Sequence, residues 1–488
     1  MSGDAIVVGA GVNGLVAATY LARAGRKVLV LEAKDRLGGA CQTTWFASSF
    51  RGPAIAHVLT ALDPRVVAEL KLARRGLKFA VRDMPLVMLR ADGRNLTIGR
   101  DLRATARNIA VHSRADAQAW PHFRRELFEL ARKIRPLWWD DGKSEIPIEI
   151  ARLKRLGLAA WLDSRFESDA VKAALAGDAA SLSPLAPGSS LLLLWRAAQE
   201  MCGLQGAAAI PLGGPGALVD ALTAAAKIAG VEFRTGAHVA DIRVKDGAAS
   251  GVVLDSGDEI PANVVLASFS RAGLLATKAG RTALGFSESV ALERGVSPAA
   301  SAKVMLALNA PPAFNGVAVP LRGRFLLADR LATFVAAHAA SRAGRVPQEL
   351  VLEVVVPTAS DPELAPLGQH VVSIRIGPLP RHVAGGWDAA KTPLAAKAVA
   401  ALDRCASGLA RHVVAAQVLT PDDIAARYGA EDSCAVTVER LLSDWSSRIR
   451  TPIKGLFLCS AASEPVDAVS GRAGRIAATL ALREGAAK

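Results

Sequence analysis

Residues 4–32 read DAIVVGAGVNGLVAATYLARAGRKVLVLE, and this stretch decides the fold. A strand of buried type over 5–8 leads into glycines at positions 9, 11 and 14, an apolar helix over about 13–24, and a second strand over 27–31. Glycines at this spacing permit a tight turn, a close approach of the backbone to a ligand, and close packing of helix on strand. The order of strand, glycine loop, helix and strand predicts a Rossmann-like α/β unit.

The same stretch predicts a dinucleotide ligand. The helix N-terminus attracts phosphate groups, because its first backbone N–H groups have no partner within the helix. Glu32 closes the second strand, where a carboxylate accepts hydrogen bonds from the adenosine ribose. The spacing alone does not separate FAD from a nicotinamide dinucleotide.

The residues after Glu32 favour FAD by resemblance. Residues 33–43 read AKDRLGGACQT, and their Arg36, Gly38 and Gly39 resemble the extended FAD signature of the glutathione-reductase type. In that signature an arginine and a glycine pair follow the second strand and line the cofactor. The pattern is similar to that of the phytoene desaturase and amine oxidase superfamily of FAD-dependent oxidoreductases.

Composition indicates a large globular protein. The 488 residues are 51% hydrophobic and 21% charged, enough for two or three domains. The apolar run at 5–22 contains three glycines and an asparagine and has no basic segment before it, so we expect neither a signal peptide nor a membrane span, and a cytoplasmic location. The net charge of +14 is spread along the chain without a nucleic-acid motif, so we expect no nucleic-acid partner.

The five cysteines are scattered along the chain and form no CxxC pair. We therefore expect reduced thiols, with neither a disulfide framework nor a metal site.

The resemblance extends over most of the chain. The runs AHVLTALDPRVVAELKLARRGLKF (56–79), PLGGPGAL (211–218), HVVSIRI (370–376), LTPDDIAARYG (419–429) and RTPIKGLFLCS (450–460) are similar to the group that includes pyridine nucleotide-disulphide oxidoreductase domain-containing protein 2. This implies a discontinuous FAD-binding domain of residues 1–95, 205–290 and 435–488. The inserted α+β substrate domain then comprises 96–204 and 291–434, and its short strands from 302 to 377 predict an antiparallel sheet.

The glycine motif and the resemblance together give a set of expected cofactor-binding residues. By analogy, loop 211–218 lies near the flavin, Val239 contacts the adenine and Ser268 lies close to the cofactor. The full set is Gly9, Gly11, Val12, Asn13, Gly14, Glu32, Ala33, Arg36, Gly38, Gly39, Ala40, Val239, Ser268, Ser460, Ala461, Val469, Ser470 and Gly471.

The resemblance also implies a chemistry. A hydride moves between the flavin and a hydrophobic, isoprenoid-like substrate in desaturation, saturation or isomerisation, next to an apolar slot. His57 is a candidate acid, base or hydrogen-bond donor, with a purely structural histidine as the alternative. Cys41 follows the glycine pair and is either a structural residue or a neighbour of the cofactor.

The C-terminal region departs from the group's pattern. Segment 429–445 lacks a glycine pair and a histidine, and loop 460–468, SAASEPVDA, lacks glycines that let the backbone approach a cofactor. Glu464 and Asp467 in this loop have three interpretations: they point away from the flavin, they weaken its binding, or they transfer protons, which makes Glu464 a second catalytic candidate. The helix that follows is expected to begin with Ser470 as its N-cap.

Residues 120–139 predict an amphipathic helix. Its apolar residues recur at three- and four-residue steps, and five basic residues lie elsewhere on its surface. We favour a helix that packs in its own domain over a basic helix on a lipid surface, which would make the protein a peripheral membrane protein.

Two other functions stay open at this stage. An amine-oxidase reaction would need an aromatic cage, although the chain has only Tyr20 and Tyr428 as tyrosines. A catalytically degenerate protein that acts through protein or membrane contacts is the alternative outside the enzymes.

Overall fold

The computed structural model describes residues 4–140, 145–294, 299–429 and 436–486. The strands are, in chain order, β1 (Ala5–Val8), β2 (Val28–Leu31), β3 (Thr43–Ala47), β4 (Phe50–Pro53), β5 (Phe79–Val81), β6 (Leu86–Met88), β7 (Leu96–Ile98), β8 (Glu200–Met201), β9 (Leu204–Gln205), β10 (Ile210–Pro211), β11 (Glu232–Arg234), β12 (Val239–Lys245), β13 (Ala248–Leu254), β14 (Glu259–Pro261), β15 (Val264–Ala267), β16 (Ala299–Leu308), β17 (Arg324–Leu327), β18 (Leu352–Val355), β19 (His370–Pro380), β20 (Val413–Leu419) and β21 (Leu456–Leu458).

The α-helices are α1 (Val12–Arg23), α2 (Pro64–Glu69), α3 (Leu102–Ala110), α4 (Arg114–Trp139), α5 (Ile148–Ala151), α6 (Leu158–Asp163), α7 (Asp169–Gly177), α8 (Ser190–Ala198), α9 (Gly216–Ile228), α10 (Arg271–Leu274), α11 (Lys278–Arg294), α12 (Leu331–Arg342), α13 (Gly386–Asp403), α14 (Pro421–Tyr428), α15 (Val438–Leu442) and α16 (Arg472–Ala486). The central residues 430–435 of the segment that departs from the group's pattern lie outside the described residues.

A parallel sheet gathers strands from both ends and the middle of the chain. Its order is β11-β2-β1-β15-β21, and every neighbouring pair is parallel. Both β1 and β2 are almost wholly buried, as expected for strands covered by helices on both faces. The predicted strand, helix and strand are present within a residue or two of their expected ends, and the Rossmann-like fold is confirmed.

Two glycines bring the first and last helices against the core. A Cβ on Gly14 would lie 2.0 Å from the carbonyl oxygen of Gly9, so glycine alone lets α1 approach β1. A Cβ on Gly474 would lie 2.0 Å from the carbonyl oxygen of Asn13, and the Gly474 N–H donates to Asn13 Oδ1 at 3.2 Å. The C-terminal helix therefore packs directly on the helix of the glycine motif.

A seven-stranded sheet forms the second layer, in the order β20-β16-β19-β18-β17-β6-β7. Its pairs are antiparallel except for β17 with β6, which agrees with the antiparallel sheet predicted over 302–377. The expected boundary between residues 95 and 96 falls inside this sheet, because β6 precedes it and β7 begins directly after it. The other domain boundaries stay predictions.

The amphipathic helix is α4, and its apolar stripe is internal. Trp120, Phe123, Leu127, Ile134 and Leu137 are buried in a hydrophobic core shared with α6, α7 and α8. This face is covered by protein, so it offers no apolar surface to a lipid bilayer. Among the helices of the described residues, none combines the length and the hydropathy that crossing a membrane requires.

Candidate functional site

A cavity of about 970 Å³ extends from the glycine loop to the seven-stranded sheet. Its volume is at the upper end of the range of small-molecule pockets, roughly 300–1,000 Å³, which suits a large cofactor. Most of the expected cofactor residues line it. They are Gly9, Gly11, Val12, Asn13, Glu32, Ala33, Arg36, Gly38, Gly39, Ala40, Val239, Ser268, Ser460, Ala461 and Val469.

The glycine-loop end has the backbone geometry that a dinucleotide requires. Gly11 is the N-cap of α1, and no side chain among the described residues caps the first turn, so the helix N-terminus is open to a phosphate. Gly9 has φ +91°, and a Cβ there would lie 3.1 Å from Ser268 Cβ, so the loop needs glycine to follow this path. The cradle therefore fits a pyrophosphate.

Glu32 is held at the lip of this loop. Its Oε2 accepts the Ala10 N–H at 2.8 Å, and its Oε1 accepts the Lys34 N–H at 3.0 Å. Both bonds fix the carboxylate beside the cavity, where the ribose of a dinucleotide would meet it.

Backbone contacts continue the cavity wall from the glycine loop to the second sheet. The Gly38 N–H donates to Ala10 O at 2.9 Å, and the Ala56 N–H donates to Ala40 O at 3.1 Å. Lys303 Nζ of β16 donates to Ile55 O at 3.2 Å. The segment that contains Ile55 and Ala56 therefore connects the dinucleotide end to the far wall.

Four expected site residues lie outside the cavity lining. Gly14 packs α1 on β1, and a Cβ on Gly471 would contact Val16 and Val66. Ser470 Oγ accepts the Arg472 N–H at 2.9 Å. The side chain therefore bonds to the first turn of α16, although Ser470 is not among the residues that line the cavity. Glu464 is the fourth residue.

Glu464 has no exposure and is turned away from the cavity. Its Oε1 accepts the Ser470 hydroxyl and the Ala473 N–H, and its Oε2 lies 3.8 Å from Arg472 Nη1. Burial raises the pKa of Glu464 to about 7, with Arg472 and Ser470 acting in the opposite direction. This geometry gives no support to proton transfer between Glu464 and a substrate; the side chain holds the loop onto α16.

Arginine side chains hold the glycine-poor loop in place. Arg440 donates to Glu464 O at 3.0 and 2.8 Å, to Ala462 O at 2.8 Å and to Asp467 Oδ1 at 2.6 Å. Asp467 itself faces the cavity, as do Ser460 and Ala461. The loop therefore forms part of the cavity wall, and Glu464 and Asp467 have different surroundings.

The loop at 211–218 is not among the described residues that line the cavity, and its expected position near the flavin stays a prediction. It packs behind the segment that follows the glycine pair: Thr43 Oγ1 donates to Gly213 O at 2.9 Å, and a Cβ on Gly216 would lie 2.8 Å from Thr43 N. Burial raises the pKa of Cys41, which lies beside this loop, to about 12, so its thiol stays protonated and gives no support to covalent attachment of a flavin.

The far wall of the cavity is charged, whereas the resemblance implied an apolar slot. It combines four basic side chains and two carboxylates with one histidine, and its residues come from strands β16 to β19, helix α8, the end of α7 and segment 54–57. They are His57, Asp178, Arg196, Lys303, Arg324, Glu353 and Arg375.

Register explains why these side chains meet. Lys303 of β16 and Glu353 of β18 both pair with Arg375 of β19, so the three lie side by side across three strands. Side chains alternate between the two faces of a strand, and the opposite face is an apolar core that includes Val304 and Ile374. One face of the sheet thus packs in the core while the other faces the cavity.

Burial determines the protonation of this wall. Burial and the charge of Lys303 lower the pKa of His57 to about 4, and burial lowers the pKa of Lys303 well below its usual value. Although burial opposes it, Arg324 holds the pKa of Glu353 below its ordinary value. At neutral pH His57 is therefore uncharged; its Nδ1 lies 3.2 Å from Ser373 Oγ and its Nε2 lies 3.7 Å from Glu353 Oε2.

The sequence reasoning missed most of this wall, although a signal was present. Single charged residues interrupt otherwise apolar strands in AKVMLAL, VVSIRIG and ELVLEVVV. A charged residue at one alternating position of such a strand indicates a polar face. It does not indicate which strands lie side by side, so the cluster could not be assembled from the sequence.

The fold and the cavity together are those of a dinucleotide-binding protein whose cavity continues beyond the glycine loop. Comparison with known proteins makes the assignment specific. The model of the flavin containing amine oxidoreductases matches residues 13–276, and the chain belongs to this family. It is an FAD-dependent oxidoreductase.

The chain is also similar to individual oxidoreductases and dehydrogenases. The chain is 31% identical to the mouse (Mus musculus) pyridine nucleotide-disulfide oxidoreductase domain-containing protein 2, over 99% of this chain and 93% of that protein. It is 28% identical to phytoene dehydrogenase of Streptomyces griseus, over 75% and 71% of the two chains. An oxidoreductase from Methanosarcina mazei has the same fold, with a TM-score of 0.66, 18% identity and coverage of 98% and 99%.

Proposed function

We propose that this protein transfers a hydride between FAD and a carbon of a mainly hydrophobic substrate that lies between the cofactor and the charged wall. The observation that carries the proposal is the shape of the cavity, which continues past the dinucleotide loop as far as β16, β18 and β19. FAD supplies the two-electron chemistry when bound. The polypeptide has to bind and orient both partners and to manage protons.

Each part of the chain has a distinct task in this proposal. The N-terminus of α1 holds the pyrophosphate, and Glu32 holds the ribose. Ile55, Val58, Ala180, Trp195, Val466 and Ala468 contribute apolar surface to the cavity, against which a hydrocarbon skeleton excludes water. The similarity to a phytoene dehydrogenase supports an isoprenoid-like skeleton.

Lys303 is the group best suited to move a proton at the far wall. Its Nζ is buried, it donates to Ile55 O, and its lowered pKa lets the amine take up or release a proton closer to neutral pH than an exposed lysine does. His57 beside it is neutral and serves as a hydrogen-bonding group rather than as a cation.

The chamber gives little support to an amine-oxidase cage. The described lining contains three rings of tyrosine, phenylalanine or tryptophan, namely Trp195, Phe269 and Tyr428. Phe269 directly follows Ser268. Tyr428 is two residues from Ala426, whose carbonyl accepts a hydrogen bond from Lys34 Nζ, so both rings are on the dinucleotide side. Trp195 alone accompanies the charged wall there, and a single ring does not make a cage.

The test combines cofactor content with anaerobic redox reactions. The purified protein is expected to be yellow, or to become yellow with added FAD, and its flavin band to bleach with a mild reductant. Phytoene and shorter isoprenoid alkenes are then offered to the oxidised protein, and their desaturated counterparts to the reduced protein. Lys303→Met is expected to retain FAD and to slow reaction with substrate by about 10²–10⁴-fold, the usual contribution of a general acid or base. A colourless protein that takes up no FAD would overturn the proposal.

A further inference from the structure

Two arginines at one end of the charged wall share a single carboxylate. Arg324 Nη2 donates to Asp178 Oδ1 at 2.5 Å, and Arg196 Nε lies 3.6 Å from the same oxygen, beyond hydrogen-bond distance. Arg196 comes from α8, Arg324 from β17, and Asp178 follows α7 directly. We call these three side chains the arginine junction.

The guanidinium of Arg196 is buried without enough acceptors. The residue is 7% exposed, and within the described part of the chain nothing accepts a hydrogen bond from its Nε or its Nη1. A buried charged donor without an acceptor is costly, and an anion placed against it recovers that cost. The described residues therefore leave this group unsatisfied.

The charged side chains around the junction do not make up for the missing acceptors of Arg196. Glu353 lies between Arg324 Nε, at 3.4 Å, and His57, and the basic Lys303 and Arg375 stand next to it on the sheet. On the other side, Asp83 is bonded to Arg100, and the Arg124 guanidinium stacks over a phenylalanine ring. Basic groups outnumber carboxylates on both sides.

The junction is accessible from the substrate chamber. Its three residues line both the large cavity and a second cavity of about 140 Å³, so they stand where the two meet. Strand β17, which carries Arg324, is three strand spacings from β16, which carries Lys303, or about 14 Å. A substrate can therefore span from the reacting end of the chamber to the junction.

We propose that the arginine junction binds a carboxylate of the substrate, so that the substrate is a long apolar acid held by its charged end, an inference that rests on the proposed function. Guanidinium groups match planar carboxylates in paired hydrogen bonds, and Arg196 has donors to spare. The apolar skeleton lies against Trp195, Ala180 and Val466, which line the chamber beside the charged wall. The junction thus fixes which carbon of the chain reaches the flavin.

Decanoate and decanol test this inference, because they share a chain and differ in charge. Binding to the FAD-loaded protein is followed by the change in flavin absorbance and by the rise in melting temperature. Decanoate is expected to bind at least tenfold more tightly than decanol. Arg196→Met is expected to weaken decanoate about tenfold to hundredfold, the range for a hydrogen bond to a charged group, and to leave decanol binding and FAD content unchanged.

Arg243→Met is the matched control, because Arg243 is a partly exposed arginine of β12 that pairs with Glu259. Equal affinity for decanoate and decanol in the natural protein would overturn the inference, as would an Arg196→Met protein that binds decanoate as tightly as the natural one. The comparison of decanoate with decanol uses the natural protein alone, so it tests the preference for a carboxylate even if Arg196→Met fails to fold. Failure to bind or reduce FAD would count against the proposed function instead.

Discussion

Burial gives similar side chains different tasks at the residue scale. Glu464 and Asp467 lie three positions apart in one loop, yet the first is wholly buried against α16 and the second faces the cavity beside Arg440. The sequence shows only that two carboxylates lie in one loop. Their surroundings in the folded protein show that Glu464 is a structural group and that Asp467 belongs to the cavity wall.

Glu464 is expected to make stability depend on pH. Its pKa of about 7 in the folded protein lies above the ordinary 4.5, so the folded state binds this proton more tightly than the unfolded state. Its contribution is therefore fully present below pH 4.5, and about 3 kcal/mol is lost as the pH rises to about 7. Urea unfolding of the natural protein and of Glu464→Gln at pH 5 and pH 8 measures this, since the variant lacks the effect.

Comparison with the variant separates the effect of Glu464 from that of groups whose contribution to stability changes with pH in the opposite direction. Although burial opposes it, the charges of Arg324 and Arg196 lower the pKa of Asp178. The contribution of Asp178 to the stability of the folded protein is therefore lost as the pH falls, and this loss is the same in the natural protein and in the variant. Glu484→Gln, at a half-exposed carboxylate of α16, is the control. If Glu464→Gln retained the pH dependence of the natural protein, the assignment to Glu464 would be wrong.

At the scale of elements, the approach of α1 to β1 determines whether the glycine loop can hold a cofactor. The two nearest atoms to a Cβ on Gly14 belong to the backbone, at 2.0 Å for Gly9 O and 3.1 Å for Gly9 C. Since backbone cannot move aside locally, a methyl group there displaces the whole helix and its N-terminus.

Gly14→Ala is therefore expected to reduce both stability and FAD affinity. Overpacking of this kind costs about 1–3 kcal/mol, and movement of the helix N-terminus should weaken FAD binding at least tenfold. Flavin fluorescence titration and thermal unfolding measure the two effects. Gly99→Ala is the control, because no atom of the described residues lies within 4 Å of its Cβ position. An unchanged FAD affinity in Gly14→Ala would show that the helix start does not position the cofactor.

At the scale of the whole molecule, the cavity is a product of chain connectivity. Its lining combines residues near positions 9–58, 177–196, 237–273, 301–375 and 424–469. No single segment of the chain forms it, so its ligand connects parts that are far apart in sequence.

FAD is therefore expected to stabilise the entire folded protein. A ligand that binds only the folded state adds about 2.7 kcal/mol at a concentration of 100 Kd, and the melting temperature should rise steadily with FAD concentration. Thermal unfolding over a series of FAD concentrations measures this. Riboflavin, which lacks the pyrophosphate, should give a smaller rise at the same concentration. A melting temperature independent of FAD would contradict a cofactor site that spans the molecule.

The sequence by itself determined the dinucleotide unit and the family. Residues 4–32 carry their own local instructions, in which glycine spacing, apolar runs and a terminal carboxylate each have a physical reason that holds wherever the segment lies. The positions of β1, α1 and β2 followed from them.

Only the tertiary structure decided the substrate side. The sequence did not indicate that Glu464 is buried, that the apolar stripe of α4 is internal, or that Lys303, Glu353 and Arg375 stand side by side. These facts depend on which strands pair and in which register. Those pairings join residues that are far apart in the sequence, such as Lys303 and Arg375 at a separation of 72 positions and Lys303 and Leu419 at 116. A glycine loop is a local arrangement that a short segment specifies, whereas a charged wall between two sheets exists only once the chain has closed around it.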